Sequence, residues 1–143
     1  MTNMNQQPDQ NSNTIKILSD TDLMRNASTT SQDGKTWFKA ARVQDFPENG
    51  GACVRYKDQQ IAVFNFSRRN EWYACQNMCP HKMQMVLSRG LIGSQQGEPK
   101  IACPFHKRTF SLKTGECLNA EKCNIEVYPV RIENGFVHIG FVA

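Results

Sequence analysis

The 143-residue sequence lacks the segments that would take a chain into or across a membrane. No apolar run approaches the roughly 20 residues that span a bilayer as a helix. The start also lacks the basic stretch followed by an apolar stretch that marks a secretory signal. We therefore expect no membrane partner and a cytoplasmic location, where cysteine thiols stay reduced.

Two further absences narrow the function. There is no Gly-rich dinucleotide-binding fingerprint, and the length allows only one domain of ordinary size. The net charge of +4 is modest and gives little support for nucleic-acid binding. We expect neither a nucleic-acid partner nor a nicotinamide site in this chain.

Aromatic residues are missing from the first 35 positions, where 18 residues are Asn, Gln, Ser or Thr. Such a segment buries too little apolar surface to offset the entropy lost on ordering. The sequence therefore predicts a polar, mostly mobile tail over residues 1–35, followed by a folded domain over residues 36–143.

From Trp37 onward the sequence contains no long amphipathic helical pattern. Short β-prone runs alternate with turn residues, which is typical of a small all-β domain. Asn134-Gly135 is a strong hairpin signal between the last two runs. His138 follows on the last strand and is predicted to be an ordinary strand-face residue. The predicted strands are 37–40, 52–56, 60–66, 71–75, 100–102, 110–112, 115–118, 127–132 and 136–139.

Histidine is scarce, yet two of the three histidines lie in similar short motifs. The motifs are Cys79-Pro80-His81 and Cys103-Pro104-Phe105-His106, with 21 residues between His81 and Cys103. Each motif offers one thiolate and one imidazole, so the two pairs can converge on one metal centre. Two cysteines and two histidines are the ligands of a Rieske [2Fe–2S] cluster, and neutral imidazoles raise its reduction potential.

A structural zinc site is the main alternative, because Zn²⁺ also accepts two thiolates and two imidazoles. Zinc modules more often keep like ligands together, whereas both pairs here are mixed. A disulfide would leave the two histidines unexplained. The other four cysteines are expected to be small buried apolar residues: Cys53, Cys75, Cys117 and Cys123.

On these two motifs the chain resembles the Rieske domain family from about Trp37 to Val142. The resemblance implies an antiparallel β-sandwich with the cluster held between two loops at one tip. It assigns Cys79 and Cys103 to the inner iron and His81 and His106 to the outer iron. Gln84 and Phe105 occupy the positions where high-potential members carry a disulfide, so we expect a potential on the order of −150 mV.

A narrower resemblance is to the small subunit of assimilatory NAD(P)H-dependent nitrite reductase. The segments that support it are 86–90, 102–118 and 127–131, together with the long gap between the motifs. It implies reduction of nitrite to ammonium with a large subunit that carries flavin, sirohaem and a [4Fe–4S] centre. This chain would then be an electron carrier or accessory subunit with no catalysis of its own.

Two alternatives are a Rieske ferredoxin that supplies an aromatic-ring dioxygenase and a zinc-stabilised binding module without redox function. Basic residues follow both motifs, namely Lys82 and Lys107-Arg108. They either form a solvated face or attract an acidic patch on a redox partner.

Overall fold

The computed structural model describes residues 29–30, 34–80, 83–105, 108–119 and 123–142. Within them the secondary structure consists of β-strands and two 3₁₀ turns, at Val43–Asp45 and Leu87–Arg89. The predicted all-β class is confirmed. The strands are β1 Thr29–Thr30, β2 Lys35–Arg42, β3 Gly50–Tyr56, β4 Gln59–Phe66, β5 Glu71–Gln76, β6 Met78–Cys79, β7 Gln84–Met85, β8 Leu91–Gln95, β9 Glu98–Ala102, β10 Thr109–Ser111, β11 Val127–Tyr128, β12 Val130–Glu133 and β13 Phe136–Val142.

All the strand pairs are antiparallel. One four-stranded sheet has the order β1-β2-β13-β12, and a second has the order β11-β5-β4-β3. A three-stranded sheet of order β10-β9-β8 and the two-stranded pair β6-β7 complete the described part of the chain. In that part no helix is long and apolar enough to cross a membrane.

The sheet that contains β4 lies between two hydrophobic cores. Six consecutive residues of β4, 61–66, are buried, as expected for a strand covered on both faces. Ile61 and Val63 contribute to a core shared with β2 and β13, whereas Ala62 and Phe64 contribute to a second core. The alternation of side chains along a strand thus divides one apolar run between two cores.

The tail and domain division stays a prediction. The short strand β1 lies within the predicted tail and pairs with Thr36 and Trp37 of β2. The rest of that segment, residues 1–28 and 31–33, lies outside the described residues.

Two strand predictions need correction, and strand β8 was not predicted. The predicted strand 127–132 is divided at Pro129, which has no N–H to donate, and its two parts pair in different sheets. The predicted strand 115–118 is irregular apart from one bridge between Cys117 and Phe110. The polar gap between the motifs contains an unpredicted strand, β8, joined to β9 by a tight turn at 96–97.

Candidate metal centre

Cys79 lies at the end of β6, on the first of the two motif loops. Its neighbour across the β6–β7 pair is Gln84, and its side chain is fully buried. The loop reaches solvent within a few residues, since Met83 is 66% exposed. Cys79, the first predicted thiolate ligand, is therefore buried at the start of a loop that becomes exposed to solvent by Met83.

Cys103 follows β9 and has a similar setting on the second loop. Its side chain is only 1% exposed, and its backbone N–H donates to the carbonyl oxygen of Arg108 over 2.7 Å. That hydrogen bond closes the loop around residues 104–107. Phe105, two positions further along, is 61% exposed. Both loops thus place a buried cysteine beneath an exposed end.

The two cysteines belong to one hydrophobic core cluster, although 24 positions separate them in sequence. The cluster brings the bases of both loops together on the same face of the β4 sheet. Its buried members are Ala62, Phe64, Phe66, Cys75, Cys79, Leu87, Ile101, Cys103, Phe110, Leu112 and Ile125.

The donor chemistry of the described residues fits a Rieske cluster. Two buried thiols at the bases of paired loops suit the inner iron, and the exposed loop ends suit ligands near solvent. His81 and His106, together with Lys82 and Lys107, lie outside the described residues. Within the described ranges, which omit both of these histidines, no three His, Cys, Asp or Glu side chains are grouped so that they could hold a metal ion.

The other four cysteines have different environments, and none of the six cysteines, all of them among the described residues, forms a disulfide. Burial raises the pKa of Cys75 far above its ordinary value and also raises that of Cys53. Both therefore stay protonated at neutral pH. The prediction of buried apolar cysteines is confirmed for these two, whereas Cys117 and Cys123 are half-buried.

His138 lies on β13, as predicted, opposite Arg131 of β12 and Lys39 of β2. Burial lowers its pKa from 6.5; Glu133 opposes that shift, and the two neighbouring cations reinforce it. It is a half-buried histidine among charged strand neighbours.

Two polar residues that the sequence did not single out support the first loop. Gln76 donates from Nε2 to the carbonyl oxygen of Met78 over 2.7 Å, and its Oε1 accepts from the N–H of Glu126. Asn77 hydrogen-bonds to residues that follow the loop. Neither has a motif of its own; the only signal is a pair of amide side chains directly before Met78-Cys79.

Comparison with known proteins identifies the class to which this fold and this cysteine pair belong. A family model described as the Rieske-like [2Fe–2S] domain matches residues 36–140. The chain belongs to the Rieske-like [2Fe–2S] domain family, whose cofactor is a Rieske-type [2Fe–2S] cluster.

Within this family the chain is similar to nitrite reductase small subunits, as its sequence led us to expect. It is 32% identical over 103 residues to the nitrite reductase (NADH) small subunit of Escherichia coli, covering 72% of this chain and 95% of that protein. The solution structure of the E. coli protein NirD superposes with a TM-score of 0.69 at 30% identity, covering 76% and 99% of the two chains.

The chain is also similar to part of a much longer nitrite reductase and to a dioxygenase ferredoxin subunit. The chain is 40% identical over 98 residues to the nitrite reductase [NAD(P)H] of Emericella nidulans, which covers 65% of this chain but only 9% of that larger protein. It is also 32% identical over 107 residues to the biphenyl dioxygenase ferredoxin subunit of a Pseudomonas strain, covering 74% of this chain and 93% of that subunit.

Proposed function

We propose that this chain is the Rieske-type small subunit of an NAD(P)H-dependent nitrite reductase. The observation that carries the proposal is the pair of buried cysteines, Cys79 and Cys103, in a domain that matches nitrite reductase small subunits over nearly their full length. As such a subunit it is part of an oxidoreductase and carries electrons, while catalysis requires a large subunit.

In this proposal the cluster is held by four residues from two loops. Cys79 and Cys103 bind the iron on the protein side, and His81 and His106 bind the iron on the solvent side. When bound, the cluster accepts and releases one electron at a time. The chain's own residues exclude water from the side of the cluster that the cysteines bind, because both cysteines lie among Leu87, Ile101 and other apolar side chains of the second core.

The partner is a large subunit, and we assign the flavin, the sirohaem and the [4Fe–4S] centre to it. Three large apolar side chains beside the two loops support a docking surface here: Met83 is 66% exposed, Met85 48% and Phe105 61%. Exposure of large apolar side chains on both loops favours contact with a partner protein there. We also propose a cytoplasmic location, where the four cysteines outside the two motifs would stay reduced.

Reconstitution tests this function. The large subunit, purified without its partner, is assayed for NAD(P)H-dependent nitrite consumption and ammonium formation with and without the cluster-loaded chain. We expect full activity only when the chain is added, and a Cys79→Ala/Cys103→Ala double variant should not replace it. Equal activity without the chain would contradict an electron-transfer role.

A ferredoxin for an aromatic-ring dioxygenase is the second candidate, since the similarity to the biphenyl dioxygenase ferredoxin subunit reaches the same 32% identity. The two candidates differ in their partners. Chemically reduced chain is therefore mixed separately with a sirohaem-containing nitrite reductase and with a ring-hydroxylating oxygenase. We expect rapid reoxidation by the nitrite reductase alone; reoxidation by the oxygenase alone would favour the ferredoxin.

A further inference from the structure

Asn77 joins the two ends of the first ligand loop. Its backbone carbonyl oxygen accepts a hydrogen bond from the N–H of Leu87 over 2.9 Å. Its side-chain Oδ1 accepts another from the N–H of Ser88 over 2.7 Å. The segment between these bonds, residues 78–86, contains Cys79 and the β6–β7 pair, so Asn77 joins the chain on either side of that pair.

Asn77 is itself fixed to the rest of the fold. Its backbone N–H donates to the carbonyl oxygen of Gln60 over 3.0 Å, and its Nδ2 donates to Oε1 of the same residue over 2.9 Å. Nδ2 also lies 3.6 Å from Sγ of Cys53. Since Asn77 is only 2% exposed, its bond to the N–H of Ser88 is shielded from water and costly to break, whereas the side chain of Gln60 is exposed.

The segment that Asn77 anchors also contacts the second ligand loop. A Cβ on Gly90 would collide with the carbonyl oxygen of Ala102, the residue before Cys103. Leu91 then pairs with Ala102 at the start of β8. Residues 88–91 therefore connect the end of the first loop to the residue that precedes the second cysteine.

We propose that Asn77 is a positioning residue that sets the separation of Cys79 and Cys103 through Ser88 and Gly90. The role rests on the proposed cluster ligands. It needs an amide, because Oδ1 must accept from Ser88 while Nδ2 donates to Gln60. An alanine would leave the buried N–H of Ser88 without this acceptor, and only the backbone bond from Leu87 would still hold the loop end to residue 77.

Release of iron from the anaerobically purified, cluster-loaded chain tests the role. Asn77→Ala should release iron to a chelator about tenfold faster than wild type, the effect of losing one buried hydrogen bond at the loop end. Gln60→Ala removes one partner of Asn77 but leaves the bond to Ser88, so its rate should rise only about twofold to threefold. The EPR spectrum of reduced Asn77→Ala should also shift.

Val137→Ala is the matched control. Val137 is fully buried but belongs to the core between β13 and the β4 sheet, away from both cysteines. This variant should lower the unfolding temperature while keeping the wild-type EPR spectrum and an iron-release rate within about twofold of wild type. A general loss of stability is thereby separated from a change at the cluster.

Equal iron release and identical spectra for Asn77→Ala and Val137→Ala would overturn the positioning role. If Asn77→Ala does not fold, residue-resolved hydrogen exchange of the wild type decides: the Ser88 amide should exchange as slowly as the core strands, and rapid exchange would overturn the role. A wild-type chain without iron would overturn the proposed function together with this role, whereas equal rates in iron-containing variants would overturn this role alone.

Discussion

At the scale of single residues, burial divides the cysteines into groups with different chemistry. Cys79 and Cys103 are buried at the bases of two loops that open to solvent. Cys75 lies in the same core cluster but on a regular strand, where burial raises its pKa and keeps it protonated. Position at a loop base, rather than burial alone, distinguishes the proposed ligands.

Alanine variants of the ligands test this distinction. Replacing Cys79, His81, Cys103 or His106 should abolish the visible absorption of the cluster, because each change removes one of the four proposed bonds to iron. Cys75→Ala is the matched cysteine control. Absorption spectra and iron assays check the outcome; a full spectrum in any one of the four ligand variants would refute that assignment.

His138→Gln is the matched control for the histidine variants. It also tests how the stability of the fold depends on pH. Burial lowers the pKa of His138 from 6.5, so the folded chain binds this proton less tightly than the unfolded chain. Acidification below about pH 6.5 then favours unfolding, and this contribution to stability is complete only above that pH.

The expected result is that His138→Gln loses less stability than wild type between pH 7 and the folded-state pKa. Unfolding temperatures measured across that range check it, and the other two histidines are common to both chains. Parallel pH curves for the two proteins would contradict the prediction.

At the scale of elements, tight turns with left-handed residues determine how the strands pair. Asn134-Gly135 has φ values of 54° and 81°, as a type I′ hairpin requires, and Gln96-Gly97 has φ values of 54° and 84°. Gly115 has a φ of 84° and also approaches the backbone of Ile125. Position 115 needs glycine because its φ is positive and because a side chain would collide with the backbone of Ile125.

Gly115→Ala and Gly97→Ala form a matched pair, since both glycines have a φ of 84°. Gly97→Ala meets no atom within 4 Å and should cost about 1 kcal/mol of unfolding free energy, from backbone strain alone. Gly115→Ala would also push its Cβ into the carbonyl oxygen of Ile125 and should cost at least about 1 kcal/mol more. Urea denaturation measures both; equal losses would show that the close approach is unimportant.

The sequence predicted those elements whose signals are local. The run 60–66 and the Asn134-Gly135 turn were recognisable because apolar continuity and turn chemistry are read over a few residues. β8 is short and was missed because only its first two residues, Leu91 and Ile92, are apolar and Gln96 is not a typical left-handed residue. The support from Asn77 was out of reach, since its partners Gln60 and Ser88 are 17 and 11 positions away.

At the scale of the whole molecule, the two cores have different relations to the proposed metal centre. The core between β13 and the β4 sheet contains no cysteine among its described members, whereas the second core contains Cys75, Cys79 and Cys103. A cluster bound by two of these cysteines therefore stabilises mainly the second core.

Removal of the cluster should consequently loosen the molecule unevenly. After chelation of iron, amides of the second-core segments 87–92 and 99–103 should exchange at least about tenfold faster, while strands β2 and β13 should keep most of their protection. Hydrogen-exchange mass spectrometry of loaded and metal-free chain checks this. Uniform loss of protection would indicate that the cluster stabilises the whole fold equally.

The most direct test of the account is the cofactor itself. Visible and EPR spectra of the anaerobically purified chain should be recorded with iron, sulfide and zinc assays on the same sample. We predict a red-brown protein with about two irons and two sulfides per chain and a rhombic EPR signal on reduction. A colourless protein that contains one zinc per chain would contradict electron transfer and leave a structural module on the same four ligands.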